Sequence, residues 1–182
     1  RDGSTTILSK RVYDSIALGI SNKKRIELAA YLLAMETEYF RAHRNYAGVL
    51  HFTFLTGNFE NVITGDLFDD IDKLTIHPAY ESYFTQVFKP LGLYINYSRS
   101  QEEPGKEITI PVMMVNDEYE DLEGDLDLMI KGMTGSILSY KSSKFAVESF
   151  GAMTYSYSMT TPENPGMYWL DAKSLCTVGR GP

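Results

Sequence analysis

The order of hydrophobic and polar residues divides the chain into two parts with different periods. Residues 21–44 carry apolar side chains at spacings of three and four, which is the period of a helix that buries one face. Ser21 or Asn22 can cap its start, and Arg41 and Arg44 lie in its last turn, where the helix dipole favours cations. We expect the buried face to contain Leu28, Ala29, Leu32, Met35, Tyr39, Phe40 and His43.

A short apolar segment follows this helix almost at once. Residues 49–55, "VLHFTFL", predict a strand that is apolar on both faces, as in a βαβ unit where each side of the strand is covered. His51 and Thr53 share one face, and their polar groups need partners if the strand is buried. A hydrogen-bonded core histidine is the first interpretation of His51, and a ligand-binding role is the second. We expect His43 to be a packed core residue and His77 to be a surface residue.

From Leu91 onwards the period changes to two, which is typical of half-buried antiparallel strands. A short helix is predicted before them at 78–88, between two prolines. Six or seven short strands over about ninety residues are typical of a β-sandwich of immunoglobulin type. A sandwich of this type calls for one more strand after residues 166–175, so we expect a truncated final strand and an open edge. The predicted strands are residues 91–97, 106–117, 124–132, 136–142, 143–150, 152–159 and 166–175.

Composition and charge narrow the classes of function. The chain has 182 residues, of which 43% are hydrophobic, and this is ample for a folded core. A net charge of −7 argues against binding to nucleic acid or to anionic membranes, since phosphate groups demand basic patches. No apolar run approaches the ~20 residues of a transmembrane helix. We therefore expect neither nucleic acid nor a membrane as a partner.

Few motifs in the sequence point to chemistry. Glu36 and Glu38 lie in the middle of the predicted helix, where exposure to solvent or a structural hydrogen bond is the favoured interpretation. The loop within 116–127 holds seven acidic residues but lacks the ligand spacing of a calcium-binding EF-hand, so a solvated loop is favoured over a weak cation site. Trp169 has the chemistry to stack on a sugar, but the core is its favoured position. We expect no metal and no cofactor.

Three phrases carry a resemblance to glycoside hydrolases of family two, the β-galactosidase and β-glucuronidase type. "FKPLGLYI", from Phe88 to Ile95, resembles the phrase that introduces the β-sandwich of these enzymes. Val115 to Asp117 resemble the end of a sandwich strand, and Gly166 to Ala172 resemble the G-x-Y-x-L-x-A of a late strand. In this family a TIM barrel ends with its eighth strand and an immunoglobulin-like sandwich follows.

The resemblance implies an α+β chain with two domains. Residues 1–89 would be the C-terminal end of a (β/α)8 barrel, reduced to a helix and a strand, and residues 90–182 an immunoglobulin-like antiparallel sandwich. The two catalytic glutamates of such retaining enzymes would lie upstream of Arg1, so this chain is assigned no catalytic residue. Barrel active sites lie at the C-terminal ends of the strands. The expected substrate-binding residues are His51, Phe54, Thr56 and Asn58.

Two functions of different class remain open. In the first, the chain is a C-terminal fragment of a secreted or periplasmic glycoside hydrolase. Its partners would be the substrate of the parent enzyme, the remainder of the barrel domain and a second copy of the chain, since a lone helix and strand leave apolar faces exposed. In the second, it is a self-contained β-sandwich module that binds glycan or protein without catalysis. An independent enzyme with a site around His51 is a third, less favoured interpretation.

Overall fold

A computed structural model describes residues 19, 21–45, 48–49, 67–70, 72–99 and 101–176. In this part of the chain the helices are α1 (Asn22–Ala42) and α2 (Pro78–Val87). All strand pairs are antiparallel, so the α+β class is confirmed. None of the described helices is long and apolar enough to span a bilayer. The strands are β1 (Phe68–Asp70), β2 (Thr75–Ile76), β3 (Leu91–Ile95), β4 (Glu107–Asn116), β5 (Leu122–Gly132), β6 (Ile137–Val147), β7 (Ala152–Thr160) and β8 (Tyr168–Cys176).

The helix α1 packs through its small side chains. Ala30, Ala34 and Thr37 are buried, whereas Leu32 and Met35 are 41% and 43% exposed. The expected buried face was therefore wrong at these two large residues and at Tyr39, which is 39% exposed. Apolar side chains lie on more than one side of α1, and the small ones let neighbouring groups approach the helix backbone closely, so packing selects their side. A periodic pattern identifies apolar faces but does not say which of them is covered.

The chain divides into two compact units, the first comprising Arg1–Thr37 and Gly48–Phe88 and the second Glu38–Ala47 and Lys89–Pro182. In the first unit, α2 begins directly after His77, whose ring Nδ1 accepts a hydrogen bond from the amide of Ala79 at 3.1 Å. His77 was expected to be a surface residue, but it is partly buried and caps a helix. The buried apolar residues of this unit's core are Ala34, Leu67, Phe84 and Val87.

Two three-stranded sheets form most of the second unit. Their strand orders are β3-β4-β7 and β6-β5-β8, and side chains from both sheets belong to one hydrophobic core. Alternate residues along the strands point inward because the period of a strand is two. The fully buried members include Ile110, Val112 and Met114 from one sheet and Leu126 and Leu128 from the other. The immunoglobulin type of this arrangement remains a prediction.

Two tyrosines of β7 connect one sheet to the other. The hydroxyl of Tyr157 donates a hydrogen bond to the carbonyl oxygen of Leu126 at 3.0 Å and lies 2.6 Å from the Ser143 hydroxyl. The hydroxyl of Tyr155 donates to the carbonyl oxygen of Ala146 at 3.0 Å. Each ring buries apolar area while its hydroxyl meets a polar partner, as buried tyrosines require.

Two strands were expected at 136–142 and 143–150, but the single strand β6 (Ile137–Val147) covers most of this range. The serines at 142 and 143, at the boundary between the two expected strands, pair with Asp127 and Leu126, in a part of the ladder that has no register shift. Serine is accepted here because the neighbouring strand supplies the backbone hydrogen bonds. Six strands are therefore described between residues 91 and 176 where six or seven were expected.

Trp169 was expected in the core, but it is 51% exposed. Its neighbours Tyr168, Leu170 and Ala172 pack against the core. Trp169 and Asp171 therefore lie on the opposite, outer face of β8.

Candidate functional site

The predicted substrate-binding residues His51, Phe54, Thr56 and Asn58 lie outside the described residues. Their placement at the rim of a sugar site therefore remains a prediction. Most of the expected strand 49–55 also lies outside the described residues.

A polar junction joins the end of α1 to the sheets within the second unit. The Nη2 atom of Arg41 donates hydrogen bonds to the carboxylate of Asp117 at 2.7 Å, to the carbonyl oxygen of Lys89 at 2.7 Å and to that of Pro90 at 3.3 Å. The Nη2 atom of Arg44 donates to the other carboxylate oxygen of Asp117 at 2.7 Å. We call Arg41, Arg44, Asn116 and Asp117 the arginine junction.

The charges in the arginine junction are partly desolvated. The side chain of Arg41 is only 12% exposed, whereas that of Asp117 is 37% exposed. Burial alone would raise the pKa of the Asp117 carboxyl, but the hydrogen bonds from Arg41 and Arg44 outweigh it and hold that pKa below its ordinary value. The aspartate is thus held ionised, with one guanidinium at each oxygen.

Asn116 directly precedes Asp117, and its side chain is fully buried. Its amide nitrogen donates to the carbonyl oxygens of Glu120, Val147 and Glu148, at 2.8, 3.2 and 3.1 Å. Its amide oxygen accepts from the backbone nitrogen of Glu118 at 2.9 Å. One side chain therefore fixes the loop that follows β4 to the end of β6.

The acidic residues at 117–127 were expected in one loop, but β5 begins at Leu122 and contains the last three of them. Asp117 binds the two arginines, and Asp121 accepts a hydrogen bond from the amide of Ser149 at 2.8 Å. Within the described residues, no three metal-ligating side chains come together in a group that could hold an ion. These contacts give Asp117 and Asp121 a structural role in the loop before β5.

Glu38, for which solvent exposure or a structural role was the favoured interpretation, is partly buried and has a perturbed pKa. Burial raises the pKa of its carboxyl to about 7, against the opposing charge of Arg41. Burial also raises the pKa of the Tyr94 hydroxyl, and the nearby charges of Tyr39 and Glu38 add to this effect. The rings of Tyr39 and His43 pack at 4.1 Å, and both make edge contacts with Tyr94.

With a pKa of about 7, the carboxyl of Glu38 can gain or lose a proton near neutral pH, which is a property of general acids and bases. Its position inside a helix was the reason for treating it as structural. The signal available in the sequence was the number of apolar residues beside it, namely Met35, Tyr39 and Phe40. His43 was expected in the core, but it is only partly buried and belongs to this aromatic group.

Comparisons with known proteins give partial matches. No family model matches the chain, and no curated protein does. Among solved structures, a β-glucuronidase from glycoside hydrolase family 2 matches with 20% identity over 49% of this chain and 10% of that one, at a TM-score of 0.36. A protein of Bacteroides fragilis assigned as a β-galactosidase matches with 18% identity over 49% of this chain and 14% of that one, also at 0.36. The chain is thus similar to a small part of much longer glycoside hydrolases, at a level that does not establish a shared fold.

Proposed function

We propose that this chain is the C-terminal part of a glycoside hydrolase. Residues 1–89 would contribute the last helix and strand of its barrel, and residues 90–182 an immunoglobulin-like sandwich that supports them. The parent enzyme would be a retaining hydrolase whose two glutamates precede Arg1. The chain alone would be without glycosidase activity.

One observation carries this proposal, namely that two phrases of the family resemblance meet at a single arginine. Arg41 binds the carbonyl oxygens of Lys89 and Pro90, within "FKPLGLYI", and the carboxylate of Asp117, which ends "VND". The backbone nitrogen of Asp117 also donates to the carbonyl oxygen of Pro90 at 3.0 Å. Residues from these two phrases thus share one set of contacts, which holds Arg41 near the end of α1.

Fixing the end of α1 has a consequence for the predicted sugar site. The helix leads, after a short connection, into the predicted strand 49–55 and its rim residues. A rigid support at this point would keep Phe54, Thr56 and Asn58 in register with catalytic groups supplied by the rest of the barrel. The sandwich would therefore influence catalysis by holding these rim residues in position.

Exposed apolar side chains on the outer face of α1 support the proposal that this chain binds a partner. Tyr31, Leu32, Met35 and Tyr39 are 38–43% exposed, and their spacing places them along one side of the helix. Exposed apolar surface of this kind marks an interaction site. We assign it to the remainder of the barrel domain and, in the isolated chain, to association with a second copy.

The test is an assay of the purified chain with nitrophenyl β-glycosides of galactose, glucuronic acid and mannose. We expect no turnover above the buffer control. Turnover that co-purifies with the chain, and that is lost in Glu38→Gln, would contradict the proposal and make this chain an enzyme in its own right.

A second measurement tests the partner surface. The double variant Leu32→Ser, Met35→Ser should reduce the self-association of the chain in sedimentation experiments. Leu74→Ser is the matched control, since Leu74 is 60% exposed but lies outside α1. A monomeric chain, or equal behaviour of the two variants, would argue against the assigned surface.

A further inference from the structure

The exposed tryptophan of β8 lies beside a recess on the outer face of the second sheet. Trp169 is directly opposite Lys131 in the pairing of β8 with β5. The recess has a volume of about 360 Å³, at the small end of the range of small-molecule sites, roughly 300–1,000 Å³. Its lining consists of Lys131, Gly132, Met133, Gly135, Trp169, Leu170 and Asp171.

The turn between β5 and β6 forms one wall of the recess. The backbone nitrogen of Gly135 donates to the carbonyl oxygen of Gly132, and that of Gly132 donates to the carbonyl oxygen of Ser136, both at 2.9 Å. Gly135 has a φ of +85°, a backbone conformation that residues with a side chain rarely adopt. This wall of the recess is therefore a turn held by two backbone hydrogen bonds.

An ion pair forms the polar side of the recess. The ammonium group of Lys131 donates to the carboxylate of Asp171, and the two side chains remain 20% and 33% exposed. Each group keeps hydrogen-bonding capacity beyond this contact, because an ammonium has three donors and a carboxylate about four acceptor sites. A ligand here would meet an indole face, a thioether at Met133 and a neutralised pair of charges.

We propose that this recess binds a neutral pyranose ring stacked on Trp169. The C–H face of a pyranose is apolar and suits an indole, while its hydroxyl rim needs both donors and acceptors, which Lys131 and Asp171 provide. The pair carries no net charge and the whole chain carries −7, so a neutral sugar fits better than an anionic one.

A protein partner fits the recess less well. An apolar side chain placed on Trp169 would remove water from the Lys131–Asp171 pair without replacing its hydrogen bonds, and this desolvation is costly. Sugar hydroxyls replace the water in kind. The inference does not depend on the proposed hydrolase, because every residue of the recess lies within the described strands β5 and β8 and the turn between β5 and β6.

The experiment uses a favourable property of the sequence, since Trp169 is the single tryptophan of the chain. Its emission, excited where tyrosine does not absorb, reports directly on the recess. The chain is titrated with neutral β-linked tetrasaccharides of glucose, mannose and galactose, and with a tetrasaccharide of galacturonic acid. We expect at least one neutral sugar to shift the emission saturably, with a Kd in the millimolar range or tighter, and the anionic sugar to bind at least about tenfold more weakly.

Calorimetric titration of variants identifies the contacts. Trp169→Ala should abolish binding and Trp169→Tyr should restore most of it, while Asp171→Asn should weaken it about tenfold. Leu175→Ala is the matched control, because Leu175 lies on the same face of β8 outside the recess and is 71% exposed. Circular dichroism of every variant checks that the sheets remain folded.

The inference would be overturned by the absence of any saturable shift at millimolar sugar. It would also be overturned if Trp169→Ala bound sugar as the parent chain does, or if Trp169→Ala abolished self-association of the chain. The last result would identify the recess as a protein interface. None of these outcomes decides whether the chain belongs to a hydrolase, which the nitrophenyl assay tests separately.

Discussion

Replacing Asn116 with alanine is expected to lower the free energy of unfolding by about 2–4 kcal/mol. The side chain is fully buried and makes four hydrogen bonds to backbone groups, between 2.8 and 3.2 Å long. An unsatisfied buried polar group costs about 1–3 kcal/mol. Water can reach part of the exposed loop after truncation, but its access to the carbonyl of Val147 is poor, because the hydrogen bond to that group is itself buried. The estimate therefore includes the full cost of leaving the Val147 carbonyl without a partner and part of the cost of the other lost hydrogen bonds.

The assay is urea denaturation of the chain followed by circular dichroism. Asn96→Ala is the matched control, because Asn96 is exposed, and its cost should stay within about 0.5 kcal/mol. Asn116→Asp should be worse than Asn116→Ala at neutral pH, because it places a carboxylate against three carbonyl oxygens. Equal midpoints for Asn116→Ala and Asn96→Ala would refute the reasoning.

Three further predictions concern single positions. For Glu38, the folded-state pKa of about 7 lies above the ordinary 4.5, so the folded chain binds the extra proton and stability falls as pH rises from 4.5 to 7. Glu38→Gln should remove this fall, worth about 1–2 kcal/mol after discounting for partial exposure, and parallel pH profiles of the two proteins in thermal unfolding would contradict it. Tyr157→Phe should cost about 1 kcal/mol in urea unfolding through the lost bond to Leu126, and an unchanged midpoint would count against that bond. Gly124→Ala would bring a Cβ within 2.1 Å of the carbonyl oxygen of Leu175, so hydrogen exchange along β8 should accelerate, and full protection would contradict the close approach.

The regular elements were predictable because their signals are local. The helix α1 and most of the strands between residues 91 and 176 follow from apolar periods and from turns rich in glycine, proline and aspartate. The covered side of α1 was not predictable, because it depends on which side chains of other elements are large. The single strand β6 was missed because the adjacent serines at 142 and 143 resemble a turn until the neighbouring strand is known.

The candidate sites depend on contacts between distant residues. The pKa of Glu38 reflects burial, and Tyr94, some fifty residues later in the sequence, lies close enough to respond to its charge. The arginine junction needs residues 41 and 117 to meet, which no spacing reveals. The exposure of Trp169 could nevertheless have been predicted from the sequence. Trp169 and Asp171 are two residues apart on β8 and share one face, and a charged residue favours the outer face. This two-residue spacing was the signal that could have placed the tryptophan outside the core.

We propose that this chain completes a hydrolase whose catalytic glutamates are encoded before it. The most direct test is the sequence of the full-length transcript upstream of the codon for Arg1. We predict an in-frame region of alternating strands and helices with two glutamates at strand ends. An upstream region without this pattern, or a reading frame that is closed there, would contradict the claim.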